Sequence, residues 1–156
     1  MKMKDTCKKL LELLKDDITD SFYDDDGGDY VELYIENPDN EDLNLQIEID
    51  SEYFGLSYRS YDETYSYDEH SEENIVLLAD KIHKIISGEL CMITLYRENK
   101  GWSVDILEET SKVNDSCLEK FVADVTDDGD NGYIEVVIWG ESEYDSYDFD
   151  DKQLVK

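Results

Sequence analysis

The chain has 156 residues, with 42 Asp and Glu against 14 Lys and Arg, a formal net charge of −28. That balance excludes direct nucleic-acid binding, which needs cations on phosphates, and docking on anionic lipid. Hydrophobic residues at 40%, aromatics at 12% and a single Pro exclude a disordered acidic tail, and the length suits one domain with a moderate core.

Residues 7–14 place Leu10, Leu11, Leu13 and Leu14 along a helix with lysines opposite. The breaker-rich run Asp24-Asp25-Asp26-Gly27-Gly28-Asp29 follows. Val31, Leu33 and Ile35 then alternate with Glu32, Tyr34 and Glu36, and Asn37-Pro38-Asp39-Asn40 makes a turn. Leu43, Leu45, Ile47 and Ile49 alternate with Asn44, Gln46, Glu48 and Asp50 in the clearest strand of the chain. A third strand carries Phe54, Leu56 and Tyr58 and leads into Tyr61-Asp62-Glu63-Thr64-Tyr65-Ser66-Tyr67-Asp68.

Ser71 reads as the cap of a second helix, with Glu72 and Glu73 in its first turn and Gly88 past its end. Its core face is Ile75, Leu78, Ile82, Ile85 and Ile86. Strands over 90–96 and 102–107 follow, joined by Glu98-Asn99-Lys100-Gly101. Ser116-Cys117-Leu118-Glu119 has the form of a capping box opening a third helix. A loop over 127–132 precedes a last strand over 133–139, and an acidic, aromatic tail runs from Glu141.

The halves look alike. Leu33-Tyr34-Ile35-Glu36-Asn37 parallels Leu95-Tyr96-Arg97-Glu98-Asn99, and 53–68 aligns without a gap on 133–148. The expected fold is therefore α+β, mainly antiparallel sheet with helices on one face. A helix–strand–strand–strand unit is used twice, as pseudo-repeats over about 1–68 and 71–150, with a helix inserted at about 110–130. The strands beginning at Tyr53 and Tyr133 should then occupy equivalent places.

The acids are not locally neutralised: no Lys or Arg occurs from 16 to 58 or from 121 to 151. A small domain stays soluble at a charge of about 2–8, so a larger one points either to a halophile-like solvated surface or to a cationic partner. The repeated Glu, Ser-Tyr-Asp pattern favours a partner. Carboxylates on an outer sheet face form a negative lattice, and tyrosines between them add rigid contact area. The candidate partner-binding residues are Glu63, Tyr65, Tyr67, Asp68, Glu143, Tyr144, Tyr147 and Asp148, expected largely on the surface.

Other chemistry is thinly represented. Residues 24–29 and 127–132 look like calcium loops, but the second has Gly129 at a ligand position and Ile138 where a bidentate Glu is needed. No cofactor is expected, and a calcium-responsive or metal-buffering module is the alternative function. His83 reads as structural, and His70 sits among Asp68, Glu69 and Glu72. No Ser or Cys has a base and orienter, so no enzyme activity is expected. Cys7, Cys91 and Cys117 have neither metal nor redox spacing, and the latter two read as core. A charged, amphipathic N-terminus without a signal region makes the cytoplasm the expected compartment.

The stretch 53–108 holds an aromatic strand, the segment Tyr65-Ser66-Tyr67-Asp68-Glu69-His70, an aliphatic helix ending at Gly88 and the turn Lys100-Gly101-Trp102. In these features it resembles small acidic α+β proteins of the bacterial toxin-immunity type. Phage-encoded nucleic-acid mimics share the charge. The expected function is a non-enzymatic inhibitor covering the cationic, nucleic-acid-binding surface of a basic protein such as a nuclease. The setting would be toxin immunity or an anti-defence DNA mimic such as an anti-CRISPR.

Overall fold

The computed structural model describes residues 3–23, 30–59, 61–97, 102–125, 132–140, 145–148 and 153–155, with the backbone alone at 97, 102, 125, 133, 145–148 and 153–155. The fold is α+β with antiparallel sheets. Where the sequence reads as one domain, the chain forms two compact units, Met1–His83 and Lys84–Lys156.

In the first unit, helix α1 (Met3–Leu14) buries Cys7, Leu10 and Leu14 along one stripe, the i, i+3, i+7 spacing of a helix face. Strands β1 (Asp20–Tyr23), β2 (Tyr30–Ile35), β3 (Leu45–Asp50), β4 (Tyr53–Tyr58) and β5 (Tyr61–Ser66) follow, and each pairs with the next in one antiparallel meander. Period-two alternation sends Val31, Leu33, Ile35, Leu45, Ile47, Ile49, Phe54, Leu56 and Tyr58 to one face, all buried. Each fully buried Leu or Ile contributes about 1.5–3 kcal/mol relative to exposure, so this inner face fixes the register. Leu43 belongs to the core too, but it ends a 3-10 turn at Glu41–Leu43 capped by Asn40, so β3 starts later than the alternation suggests. Strand β1 is not foreseen in the sequence, because four exposed residues carry no buried alternation.

Helix α2 (Ser71–Ile86) buries Ile75, Leu78, Ala79 and Ile82. Its first turn is tied down by Asp68: the Ser71 hydroxyl donates to the Asp68 carbonyl at 2.9 Å, and the His70 amide donates to Asp68 Oδ1 at 2.7 Å. Gly88 follows at φ +82°, a left-handed C-terminal position that suits a residue without Cβ.

The second unit holds β6 (Leu90–Arg97), β7 (Trp102–Glu109), α3 (Asp115–Val125), β8 (Gly132–Val137), β9 (Asp145–Asp148) and β10 (Gln153–Val155). Cys91, Ile93, Leu95, Leu118, Phe121, Ile134 and Val136 form its core, with Cys117 packed against it. The cap of α3 is Asn114 rather than Ser116: its Oδ1 accepts from the Cys117 amide at 2.9 Å, so the helix starts before the predicted capping box.

The expected duplication is not confirmed, because the strand orders differ. The first sheet runs β1-β2-β3-β4-β5, the second β10-β9-β8-β6-β7. The Tyr53 strand, β4, lies between its chain neighbours β3 and β5. Strand β8, which includes Tyr133, pairs with β6 and β9 and not with β7. The connection that contains α3 carries the chain from β7 past β6 to the far side of β6. Among the described residues no helix is long and apolar enough to cross a membrane.

Candidate partner-binding face

The outer face of the first sheet follows from register. Cross-strand partners share a face, so Asp20 and Phe22 of β1 stand with Tyr34 and Glu32 of β2. Tyr30, Glu32 and Tyr34 in turn stand with Asp50, Glu48 and Gln46 of β3. Gly55 and Ser57 of β4 continue the rows to Thr64 and Asp62 of β5. None of these paired strand positions is Lys, Arg or His; Arg59 follows at the β4–β5 turn. Glu32 and Glu48 are directly opposite each other, at a strand separation of about 4.8 Å.

Polar groups on this face satisfy one another with neutral donors. Tyr30 Oη donates to Glu32 Oε1 at 2.6 Å, and Tyr34 Oη donates to Glu32 Oε2. Gln46 Nε2 donates to Glu48 Oε1 at 3.0 Å, and Ser57 Oγ to Asp62 Oδ1 at 2.7 Å. Burial and then the charges of Glu32, Asp62 and Asp50 push the Glu48 carboxyl above its ordinary range. The Tyr30 hydroxyl is pushed up by burial, by its bond to Glu32 and by the carboxylates around it. Phe22, opposite Glu32, is 53% exposed.

Three of the predicted site residues are placed differently from expectation. Glu63, Tyr65 and Tyr67 are half-buried, not on an open surface. In β5 the half-buried Tyr61, Glu63 and Tyr65 alternate with exposed Asp62, Thr64 and Ser66. Because Glu63 stands opposite Leu56 and Tyr65 opposite Phe54, these side chains take the inner face. Tyr65 stacks on Phe54 with ring centroids 5.5 Å apart, Tyr67 lies 5.6 Å from the same ring, and Tyr67 Oη donates to the Asp50 carbonyl at 2.7 Å. Asp68 is exposed but is engaged at the start of α2. Tyr147 and Asp148 are in β9, opposite Ile134 and Tyr133. Glu143 and Tyr144 lie outside the described residues, as do the run 24–29 and, apart from Gly132, the run 127–132 considered for calcium.

Glu63 is the centre of an internal ion pair. It accepts from Tyr61 Oη at 2.9 Å, from Tyr65 Oη and from Lys81 Nζ of α2. Burial alone would raise its carboxyl, but the Lys81 bond and charge and the two phenol bonds outweigh that and lower it. Tyr61 is pushed up to about 12, by burial first and then by its bond to Glu63. Elsewhere, His83 Nε2 lies 3.3 Å from Asp17 Oδ2 and His70 beside Glu69 and Glu73. No group of three or more metal-ligating side chains is formed among the described residues.

Sequence reasoning does not single out Glu32. The signal that finds it is Tyr-x-Glu-x-Tyr, present at Tyr30-Val31-Glu32-Leu33-Tyr34 and at Tyr61-Asp62-Glu63-Thr64-Tyr65. An acidic α+β protein whose first sheet carries no base at the paired strand positions of its outer face is the class that these observations define. No family model, curated protein or solved structure matches the chain.

Proposed function

We propose that the protein is a non-enzymatic inhibitor that binds a basic protein through its acidic surface and covers a cationic, nucleic-acid-binding region of that partner. The observation that carries this reading is the outer face of β1–β5. It sets Glu32, Glu48, Asp50 and Asp62 among Tyr30, Tyr34 and Phe22 with no base at a paired strand position. Such a face repels itself and is relieved by a partner's Lys and Arg. Complementary fields also speed encounter and disfavour wrong partners. Proteins that hold nucleic-acid phosphates carry the matching surface, so immunity to a nuclease toxin and inhibition of a nucleic-acid-guided defence enzyme are two settings for one mechanism. The candidate surface is the outer face of this sheet, opposite the inner face that Glu63 and Tyr65 take.

The test is isolation of the partner from native cells, followed by affinity measurement with the purified pair. Glu48→Lys, Asp50→Lys and Asp62→Lys combined should abolish binding in a chain that still folds, melting lower only by the loss of the Asp50 turn cap, whose Oδ1 accepts from the Glu52 and Tyr53 amides at 2.7 Å. A folded triple variant that binds like wild type would remove this face from the interface.

A further inference from the structure

The two Tyr-x-Glu-x-Tyr segments build the same device on opposite faces of one sheet. In each, residues i, i+2 and i+4 of a strand share a face, and both phenols donate to the central carboxylate, one to each oxygen. The inner copy is occupied: Lys81 Nζ bonds Glu63 Oε2, the oxygen that also accepts from Tyr61. The outer copy has the same carboxylate and phenols, and among the described residues no cation reaches Glu32. We propose that Tyr30, Glu32 and Tyr34 form a seat for one lysine ammonium of a protein partner, for which the Glu63–Lys81 pair is the internal pattern.

Charge and shape around Glu32 agree with that occupant. A carboxylate already holding two phenols has lone-pair capacity left for another donor, and a lysine ammonium is a compact charge with three donors. Glu48 stands directly across from Glu32, so an ammonium between them meets two carboxylates. Exposed Phe22, on the other flank of Glu32, offers an aromatic face to the lysine methylenes and charge. The phenols orient the carboxylate before the partner arrives, which lowers the ordering cost of binding.

This inference rests on the proposed function and names the group that the acidic face receives. Its test uses the full chain, labelled for NMR, at about 0.15 M salt to screen distant charges. The probe is a Gly-Ser peptide with lysines at three alternate positions, beside its Nε-acetylated form. Wild type should show saturable shifts centred on 30–34 and Phe22 with the lysine peptide and none with the acetylated one. Glu32→Gln should weaken binding at least tenfold and Tyr34→Phe several-fold, while the equal charge change Glu41→Gln at an exposed turn should change it less than twofold. If Glu32→Gln and Glu41→Gln weaken binding equally, the attraction is diffuse and the seat is overturned while the acidic-face function stands. Absence of saturable binding to wild type overturns both. Self-association of the free chain that Glu32→Gln abolishes would put a second copy's lysine in the seat and overturn the assignment to a separate partner.

Discussion

Glu32 and Glu48 face each other across β2 and β3, and like charges placed directly opposite destabilise a sheet. The raised Glu48 carboxyl gives this cost a pH signature. Above the raised pKa the group is ionised in both folded and unfolded chains, and the repulsion is fully present. As pH falls through the folded value towards the ordinary Glu range near about 4.3, the native chain takes up the proton first, so stability rises. Glu63 acts in the opposite sense. Its lowered carboxyl contributes stability that is present above the ordinary range and is lost as pH falls through the folded value. Glu48→Gln should therefore melt higher than wild type at neutral pH, and the difference should shrink on mild acidification. Thermal melts across about pH 3–7 check this; a variant melting lower at neutral pH would mean that Glu48 is favourably paired.

At the level of elements, β4 is the strand on which the site's geometry depends, because it couples β3 to β5. Gly55 stands between Glu48 and Thr64, and a Cβ there would lie 2.3 Å from the Glu63 carbonyl oxygen. The obstructing atom is backbone, so β5 must shift for the methyl group to fit. Overpacking of this kind costs about 1–3 kcal/mol. Gly55→Ala is predicted to lower the denaturant midpoint accordingly and to perturb the amide signals of Glu63 and Thr64 most. An unchanged midpoint would show that β5 yields freely. The same strand pairing gives Lys81 its partner, since it turns Glu63 inward beside Leu56.

For the whole molecule the net charge of −28 is the dominant electrostatic fact. A chain so far from neutrality is destabilised by self-repulsion, which salt screens within a Debye length of about 10 Å at 0.1 M. The melting temperature should rise as sodium chloride is raised from about 0.01 to about 0.5 M. Association with a basic partner should weaken over the same range, because screening removes the attraction as well as the repulsion. A melting temperature that stays flat would mean that the acids are compensated within the fold. The opposite responses of folding and binding separate a partner-binding face from a merely solvated one.

Periodicity and charge by themselves determine much of this protein. Alternation over 31–35, 45–49 and 54–58 specifies strands with one buried face, and helical spacing marks the core stripes of α1 and α2. Absence of bases from 16 to 58 marks the acidic region. Two things lie beyond such patterns. One is strand order, because a repeated sequence phase does not say whether the next strand joins the near or the far side of its neighbour; the α3 crossover decides that in the second unit. The other is the face taken by each Tyr-x-Glu-x-Tyr segment. Period two groups Tyr, Glu and Tyr together but does not say which side of the sheet receives them. In β2 the intervening Val31 and Leu33 claim the core and send Glu32 outward. In β5 the intervening Asp62 and Thr64 cannot, so Tyr61 and Tyr65 turn inward and take Glu63 with them, where Lys81 compensates its charge.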